Sequence, residues 1–518
     1  MGAPSERDEP KLGAEHWADR LALTILARPA PPVISSGISP SGEVHIGNMR
    51  EVLTADAVFR AVAERGVGAR LNFVADNYDP LRRVYPFLDE ERYGSLVGRP
   101  LSEIGCPCGV HRSYADHFLE PFLAALVELG VRVEVERADE LYKSGRMTPY
   151  IVRALERRDE IARILTELTG KEIESDWSPF NPLCATCGRV TQAKVLGFSA
   201  ADRTVDYDCG CGARGSSPMA GGGKLVWRID WPARWMLLGV TVEPFGKDHA
   251  TRGGSYDTGV RIVQEVFDGT PPLPIPYEWI RLKGLGDMSS SKGNVLSIAR
   301  VLELAPPEAL RYLVMRERPQ RSITFDPGLP LLQLVDEVDN AAAAGRDERA
   351  LELSLAGSFE AVGVPYKHLV VVAQAAAFDR DTTLAILRRT GYPNVSPQAV
   401  VRRMAQARRW LESFAPEELR FVVRPQLPPE AAKLAGDQRK FLGQLADRLA
   451  EEQDGQAIHE LIYELAREFP GSRPADLFAA IYVALLGKTR GPRAGSFLAV
   501  LGVEFAARRF REAAQGAS

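Results

Sequence analysis

Cysteine is scarce in this sequence, with six residues among 518, and so few exclude a scaffold built on disulfides. Long apolar runs are also lacking: nowhere do about 18 apolar residues follow one another, as a membrane-spanning helix would need. The first residues, MGAPSERDEPKLG, do not contain the apolar stretch of a secretory signal. Neither sign of charge dominates, because 64 basic residues oppose 68 acidic ones. No overall positive field therefore indicates a nucleic-acid partner, and we expect a soluble, cytoplasmic protein without a membrane segment.

Apolar residues are plentiful, at 45% of the chain, and their spacing predicts three parts. From about Ala14 to Tyr142, strand candidates (PPVISSG, ARLNFVAD, VRVEVERA) alternate with amphipathic helices, which is typical of a parallel sheet covered by helices. Cysteines, glycines and short strand-like pieces set residues 181–223 apart as an insertion. Beyond about Pro327 the apolar spacing is helical. We expect an α/β domain formed by 14–180 and 224–326, an insertion at 181–223, and an all-α domain at 327–518.

The turn after the first strand candidate has the composition of a phosphate site. It reads SPSGEVHIGNMRE, from Ser39 to Glu51, and leads directly into a helix. Ligands of open α/β sheets bind at the carboxyl ends of strands, often where a helix N-terminus attracts phosphate. Gly42 and Gly47 flank His45 and allow the backbone to approach a ligand closely. The stretch thus predicts a histidine hydrogen-bonded to phosphate, with an ordinary strand-to-helix turn as the alternative.

A second stretch, IRLKGLGDMSSSKGN from Ile280 to Asn294, follows another strand candidate. Its glycines predict a flexible loop, and its serines and Lys292 could neutralise a triphosphate as pyrophosphate leaves. A solvated linker is the alternative for such a loop taken alone. It begins more than two hundred residues after the first stretch, and each of the two stretches follows a strand candidate. This arrangement favours one nucleotide site formed by both stretches.

These two stretches resemble the HIGH and KMSKS motifs of class I aminoacyl-tRNA synthetases. The variants HIGN and MSSSKGN, with VWRIDWPARW (226–235) and VEPFGKDHATRGGSYDTG (242–259), resemble the class I lysyl-tRNA synthetases. The resemblance covers roughly 34–325. It departs from the generic pattern because Asp287 and Ser290 stand where that pattern has lysines, so Lys292 becomes the candidate for the mobile lysine.

The resemblance implies a Rossmann-like catalytic domain, a helical anticodon-binding domain, and a reaction in which lysine is activated by ATP and then joined to tRNA(Lys). Mg²⁺ would accompany ATP, and the catalytic groups would be His45, Asn48 and Lys292. The nucleotide site implied by the family comprises Pro40, Gly42, His45, Gly47, Asn48, Met288, Ser289, Ser290, Ser291 and Lys292. The lysine site would comprise Gly37, Ser39, Trp227, Asp230, His249, Tyr277 and Glu278, with Asp230 as the candidate partner of the ammonium group.

Two groups of cysteines have the spacing of metal ligands. Cys184-x2-Cys187 and Cys209-x-Cys211, joined by a strand-rich segment, resemble a zinc ribbon, in which four thiolates would hold a structural zinc. A second zinc could bind at the more crowded CPCGVHRSYADH, through the four side chains of Cys106, Cys108, His111 and His117. Free thiols and ordinary histidines are the alternatives.

Four arginines recur at helical spacing in the last third: Arg402, Arg403, Arg408 and Arg409. They predict either a solvated charged face or contacts with the tRNA backbone. Three other functions remain open: a class I ligase for glutamate, a non-catalytic tRNA-binding protein of the same fold, and an adenylyltransferase with a similar phosphate site. A monomer is favoured.

Overall fold

The structure, a computed structural model, describes residues 15–284, 286–288, 295–344, 348–357, 359–449 and 454–515. The described chain forms two compact units. The first contains the residues up to 302 with 307–325 and 348–357, and the second contains 303–306, 326–344 and the residues from 359 onward.

Strands and helices alternate through the first unit. Up to the insertion its elements are α1 (Trp17–Leu26), β1 (Val33–Ile38), α2 (Ile46–Ala63), β2 (Arg70–Ala75), α3 (Glu90–Tyr93), α4 (Tyr114–Glu128), β3 (Glu134–Arg137), α5 (Ala138–Lys143), α6 (Thr148–Glu156) and α7 (Arg158–Thr169). They are followed by β4 (Phe180–Pro182), β5 (Ala193–Ser199), β6 (Thr204–Cys209), β7 (Arg214–Pro218), β8 (Gly223–Leu225), α8 (Trp227–Leu238), β9 (Val242–Gly246), α9 (Ser255–Glu265), β10 (Leu273–Tyr277), β11 (Ile280–Leu282), β12 (Gly286–Asp287), α10 (Ile298–Leu302), α11 (Pro307–Met315) and β13 (Ile323–Phe325).

A five-stranded parallel sheet in the order β10-β9-β1-β2-β3 confirms the predicted α/β fold. β1 lies at its centre, with Ile34 opposite Leu71 of β2 and opposite Val242 of β9. The chain leaves β1 toward β2 on one side and reaches β9 on the other only after the insertion. The crevice at the carboxyl ends of β1 and β9 is therefore a topological switch point, where ligands of such sheets bind.

The sheet has two unlike edge strands. β10, LPIPY, contains Pro274 and Pro276, and β3 is four residues long and reads EVER. The segment IPYEWIRLKG is divided between two sheets. β10 ends at Tyr277, the N–H of Glu278 turns away to the carbonyl of Pro319 (2.8 Å), and β11 joins a second sheet in the order β12-β11-β13.

The insertion is built from short antiparallel strands. β4 and β8 pair at its base, and β5, β6 and β7 form a three-stranded sheet with an irregularity between Val195 and Gly197. The strand-like pieces RVTQAKVLGF and RTVDYDC correspond to β5 and β6. β7, RGSSP, was not predicted, because its small polar residues have weak strand propensity.

The second unit is helical, and its described residues form no strand, which confirms the predicted all-α region. In chain order the remaining helices are α12 (Leu329–Ala344), α13 (Glu348–Ser354, which belongs to the first unit), α14 (Tyr366–Ala375), α15 (Arg380–Arg389), α16 (Pro397–Ser413), α17 (Gly436–Arg448), α18 (Gly455–Arg467), α19 (Pro474–Leu486), α20 (Ala494–Leu501) and α21 (Val503–Gln515). No helix of the described residues is both long and apolar enough to cross a membrane.

One of the four arginines of α16 differs from the prediction. Arg403 is buried, pairs with Asp339 of α12 at 3.3 Å and lies over the ring of Tyr366. It therefore cannot contact a nucleic-acid backbone. Arg408 and Arg409 are exposed, as is Arg402, and these three keep the predicted alternatives open.

Candidate active site and metal centres

Two cavities open at the carboxyl ends of β1 and β9. The first, called the tryptophan cavity here, is lined by Trp227 and Trp231 among others and has a volume of about 530 Å³. The second, called the HIGN cavity here, lies around the turn at His45–Asn48 before α2 and has a volume of about 760 Å³. Five of the described residues line both cavities, so the two spaces meet there: Gly37, Ile38, Ser39, Glu51 and Arg82.

Aromatic rings form one wall of the tryptophan cavity. Trp227 and Trp231 lie one helical turn apart on α8 and stack with ring centroids 5.3 Å apart. His249 and Phe245 approach Trp231 to 5.4 Å. The predicted site residues Gly37, Ser39, Trp227 and His249 are thus brought together around one space. Such a wall suits a long aliphatic stem that ends in a cation.

Two carboxylates in this cavity have no cationic partner within ion-pair distance in the described chain. Glu51 of α2 accepts hydrogen bonds from the Gly37 N–H (2.8 Å) and the Tyr277 hydroxyl (2.7 Å), and burial raises its pKa to about 7. Glu243 of β9 accepts from the indole of Trp231 (2.7 Å), and burial raises its pKa to about 8. Both groups would gain from a bound cation.

Two other carboxylates at this cavity are already compensated. Asp76 pairs with Lys224 at 2.6 Å and with Arg234 at 3.0 Å. Although burial raises the pKa of Asp76, these two cations lower it to about 2. Asp79 pairs with the same Lys224. These carboxylates are consequently less available to a ligand cation than Glu51 is.

The structure corrects the prediction for Asp230. This side chain is fully buried, is absent from the cavity lining, and is held by the Tyr142 hydroxyl at 2.5 Å. It also pairs with Arg234 at 2.9 Å, one helical turn along α8. Glu278 likewise lines neither cavity and pairs with Lys247 at 2.8 Å. Tyr277 lines the HIGN cavity, and its hydroxyl donates a hydrogen bond to Glu51, which lines both cavities.

His45 and Asn48 form a capping box at the start of α2. The Nδ1 of His45 accepts from the Gly47 N–H at 3.0 Å, and the Asn48 side chain accepts from the His45 N–H at 3.2 Å. Burial lowers the pKa of His45 to about 4, so the ring is neutral. With Nδ1 occupied as an acceptor, Nε2 carries the proton and can donate it to an anion at the helix N-terminus.

Other residues predicted for the nucleotide site fall in three places. Gly47 and Met288 line the HIGN cavity with His45 and Asn48. Pro40 and Gly42 are buried within the turn and line neither cavity. The predicted loop residues Ser289, Ser290, Ser291 and Lys292 lie outside the described residues.

The structure adds two cationic residues that the sequence analysis missed. Arg82 and Arg83 line the HIGN cavity, and Arg82 also lines the tryptophan cavity. Both follow β2 in the stretch ADNYDPLRR. The signal was present, since this stretch starts at the carboxyl end of a predicted parallel strand, where ligands bind.

Each group of metal-type ligands converges on one point. The Sγ atoms of Cys184 and Cys211 are 3.7 Å apart, as are those of Cys187 and Cys209. A tetrahedral zinc with Zn–S bonds of about 2.3 Å places its sulfurs about 3.8 Å apart. All four ligand atoms lie within 4.8 Å of one another. The donor set and its spacing therefore fit a closed zinc site.

The second group also fits a tetrahedral ion, although its ligands are crowded in sequence. The Sγ of Cys106 lies 3.3 Å from that of Cys108 and 3.3 Å from the Nδ1 of His111. The Nδ1 of His117, on the first turn of α4, lies 3.6 Å from Cys106. Because the helix begins at Tyr114, its first turn brings this ring back over the CPC loop.

Comparison with known proteins gives two family matches. The profile of the family described as "tRNA synthetases class I (K)" matches residues 15–357, and that described as "Anticodon binding domain" matches residues 399–514.

Several curated proteins are similar over nearly their whole length. The "Lysine--tRNA ligase 1" of Methanosarcina acetivorans is 48% identical, over 96% of this chain and 98% of its own. The "Lysine--tRNA ligase" of Methanosarcina barkeri is 49% identical over 96% and 97%. That of Archaeoglobus fulgidus is 48% identical over 96% and 100%.

Proposed function

The chain belongs to the class I (K) family of tRNA synthetases, and from this we propose that it activates L-lysine with ATP and transfers the lysyl group to the 3′ end of tRNA(Lys). Full-length similarity to relatives named lysine–tRNA ligases supports the substrate.

The observation that carries the proposal is the charge of the tryptophan cavity. Glu51 and Glu243 lack a cation there, and aromatic rings flank them. The ε-ammonium of lysine would supply the missing charge, while its methylene stem would lie against Trp227 and Trp231. The side-chain carboxylate of glutamate would instead find no cation to pair with beside these two groups in the described chain, and would be repelled by Glu51 when that group is ionised. The cavity thus favours lysine over glutamate.

The proposed chemistry needs positioning more than a protein nucleophile. A carboxylate oxygen of lysine bonds to the α-phosphorus of ATP, and the bond from that phosphorus to the bridging oxygen breaks. Pyrophosphate leaves with the electron pair. A hydroxyl of the terminal tRNA ribose then attacks the adenylate carbonyl, loses its proton, and AMP departs.

Within this scheme, the residues of the HIGN cavity would hold ATP. The Nε2–H of His45 and the first N–H groups of α2 would donate to its phosphates. The Gly47 N–H would keep the ring of His45 in place, and Asn48 would hold the backbone of His45 by accepting from its N–H. Mg²⁺ bound with ATP would neutralise phosphate charge. Lys292, with the neighbouring serines, remains our candidate for the closing loop.

We also propose that both ligand groups hold structural zinc. Cys184, Cys187, Cys209 and Cys211 would fix the insertion, which we place at 181–223, and Cys106, Cys108, His111 and His117 would fix the connection from β2 to α4. Four protein ligands leave no open position, so each zinc would stabilise its loop rather than take part in the reaction. Metal analysis by mass spectrometry should find two zinc ions per chain. A single zinc, lost only on Cys184→Ser, would refute the second site.

The helical region would bind the anticodon. The match at residues 399–514 supports this role, and Arg402, Arg408 and Arg409 are candidates for contacts with the tRNA backbone. Because one chain carries both the catalytic and the anticodon-binding parts, we propose a monomer, acting in the cytoplasm where its tRNA and ATP are found.

Amino-acid-dependent exchange of labelled pyrophosphate into ATP tests the reaction. All twenty amino acids are assayed with and without bulk tRNA. Exchange with lysine alone is expected. Exchange with glutamate alone would overturn the substrate, and silence with every amino acid in folded, zinc-loaded protein would favour a non-catalytic tRNA-binding protein.

A further inference from the structure

We propose that Arg82 is a catalytic residue of the activation step, which stabilises negative charge where the lysine carboxylate meets the α-phosphate of ATP. This inference rests on the proposed function. Of the five described residues that line both cavities, only Arg82 is a cation. The bond between substrate and nucleotide must form where the two cavities meet.

The residues directly before Arg82 are fixed by backbone hydrogen bonds. Leu81 is fully buried, donates its N–H to the Arg99 carbonyl (2.8 Å), and accepts from the Gly98 N–H (2.8 Å). The Asp79 carbonyl accepts from the Leu101 N–H at 2.9 Å. A ladder of this kind fixes the point from which the Arg82 side chain extends, so its guanidinium reaches the junction from a rigid base.

The guanidinium of Arg82 keeps its capacity for a ligand. Its side chain is 74% exposed, and the ion pair that it makes with Asp79 among the described residues is long at 3.8 Å. Asp79 is itself held closely by Lys224.

The other arginines of the tryptophan cavity are engaged elsewhere. Arg234 pairs with Asp76 and Asp230. Arg228 donates to the Gly253 carbonyl and to the Thr258 hydroxyl. Of the three arginines in the described chain that line the tryptophan cavity, Arg82 therefore has the weakest internal contacts.

The chemistry of activation creates a need for such a group. The lysine carboxylate and the triphosphate both carry negative charge and repel each other as the oxygen approaches the α-phosphorus. As the new P–O bond forms and the bond to the leaving pyrophosphate breaks, charge concentrates on the non-bridging α-oxygens. A planar guanidinium can donate two N–H groups to such oxygens and lower the barrier.

Steady-state kinetics of lysine-dependent pyrophosphate exchange test the assignment on the full-length, zinc-loaded protein. Arg82→Ala should lower kcat about 100-fold, the loss typical of one donor to a developing oxyanion, while the KM for lysine changes less than about twofold. Arg82→Lys should recover part of the loss, because it keeps the charge without the fork of donors. Arg132→Ala is the matched control, because Arg132 is an exposed arginine of the same unit that lines neither cavity.

A kcat for Arg82→Ala equal to that of Arg132→Ala would overturn the inference, and so would a change confined to the KM for lysine. Circular dichroism and thermal unfolding check that each variant is folded. Should alanine disturb the loop, Arg82→Gln, which removes the charge and keeps a polar side chain, decides in its place: a kcat equal to that of Arg132→Ala would overturn the inference. Failure of the wild-type protein to exchange with any amino acid would instead refute the proposed function.

Discussion

Lysine binding should weaken as the pH falls, because the proposed partner of its ammonium group takes up a proton. Burial raises the pKa of Glu51 to about 7, so this carboxyl changes charge near neutral pH instead of near its usual range. Free lysine keeps its ε-ammonium charged throughout this interval. The protein side alone therefore sets the pH dependence.

The size of the effect follows from the fraction of Glu51 that is ionised in the empty cavity. With a pKa of about 7, this fraction is about 0.9 at about pH 8 and about 0.1 at about pH 6. The dissociation constant for lysine should rise about tenfold over that interval, or about 1.4 kcal/mol. Ionisation of Glu243, whose pKa is about 8, would add to the change, so tenfold is the lower limit.

Isothermal titration calorimetry of lysine without ATP measures this directly. Glu51→Gln is the matched control, since it keeps the shape and removes the titration. It should bind lysine weakly and with a smaller dependence on pH. If the wild-type dissociation constant changes less than about twofold between about pH 6 and about pH 8, the role of Glu51 is refuted.

The raised pKa of Glu51 also affects the stability of the ligand-free protein. The contribution of the protonated Glu51 to stability is lost as the pH rises through about 7, so lysine should stabilise the fold most at high pH.

Three substitutions test other parts of the structure. The fully buried Arg311 lies 2.6 Å from the carboxylate of Asp56, and Asp56→Ala leaves it without this charge partner. Urea titrations should show a free energy of unfolding lower by about 3–5 kcal/mol; a loss below about 1 kcal/mol would contradict the importance of this buried ion pair. Gly47→Ala places a methyl 2.7 Å from the His45 ring and should raise the KM for ATP about tenfold while lysine binding is unchanged; equal effects on both ligands would contradict the assignment of ATP to the HIGN cavity and of lysine to the tryptophan cavity. Tyr277→Phe removes the hydroxyl that donates to Glu51 and should weaken lysine binding about fivefold in calorimetry, whereas unchanged binding would show that the bond is dispensable.

Features set by near neighbours in the chain were predictable. The alternation of apolar segments gave the central strands, since each side of a covered parallel strand is buried. The turn at His45 was located because its signal is local: Gly42 and Gly47 flank the histidine directly before a helix. The two ligand groups likewise converge in the structure as the short spacing of their cysteines led us to expect.

Features set by distant partners could not be found in this way. Asp230 looked like a ligand group because the sequence does not show that Tyr142 and Lys224 lie beside it. Glu51 was missed for the opposite reason. It lies within a helix, and its role depends on Tyr277, which is 226 residues away.

Arg403 shows a third kind of error, in which the local pattern contained the answer. Along α16 the buried residues recur every three or four positions, and Arg403 falls on this apolar side with Val400 and Ala407. Its charge suggested exposure, but the periodicity placed it inside. There it needs a carboxylate, which Asp339 provides from α12.

The composition of the two outer strands also bears on how the protein behaves at high concentration. An open sheet offers unpaired backbone groups to any passing extended chain, and such pairing starts aggregation. At one side Pro274 and Pro276 have no N–H to offer, so an incoming strand would find interrupted bonding. At the other, four residues that include Glu134, Glu136 and Arg137 make a strand too short and too charged to recruit a partner. The two edge strands of the central sheet therefore protect the enzyme from edge-to-edge association when its concentration is high.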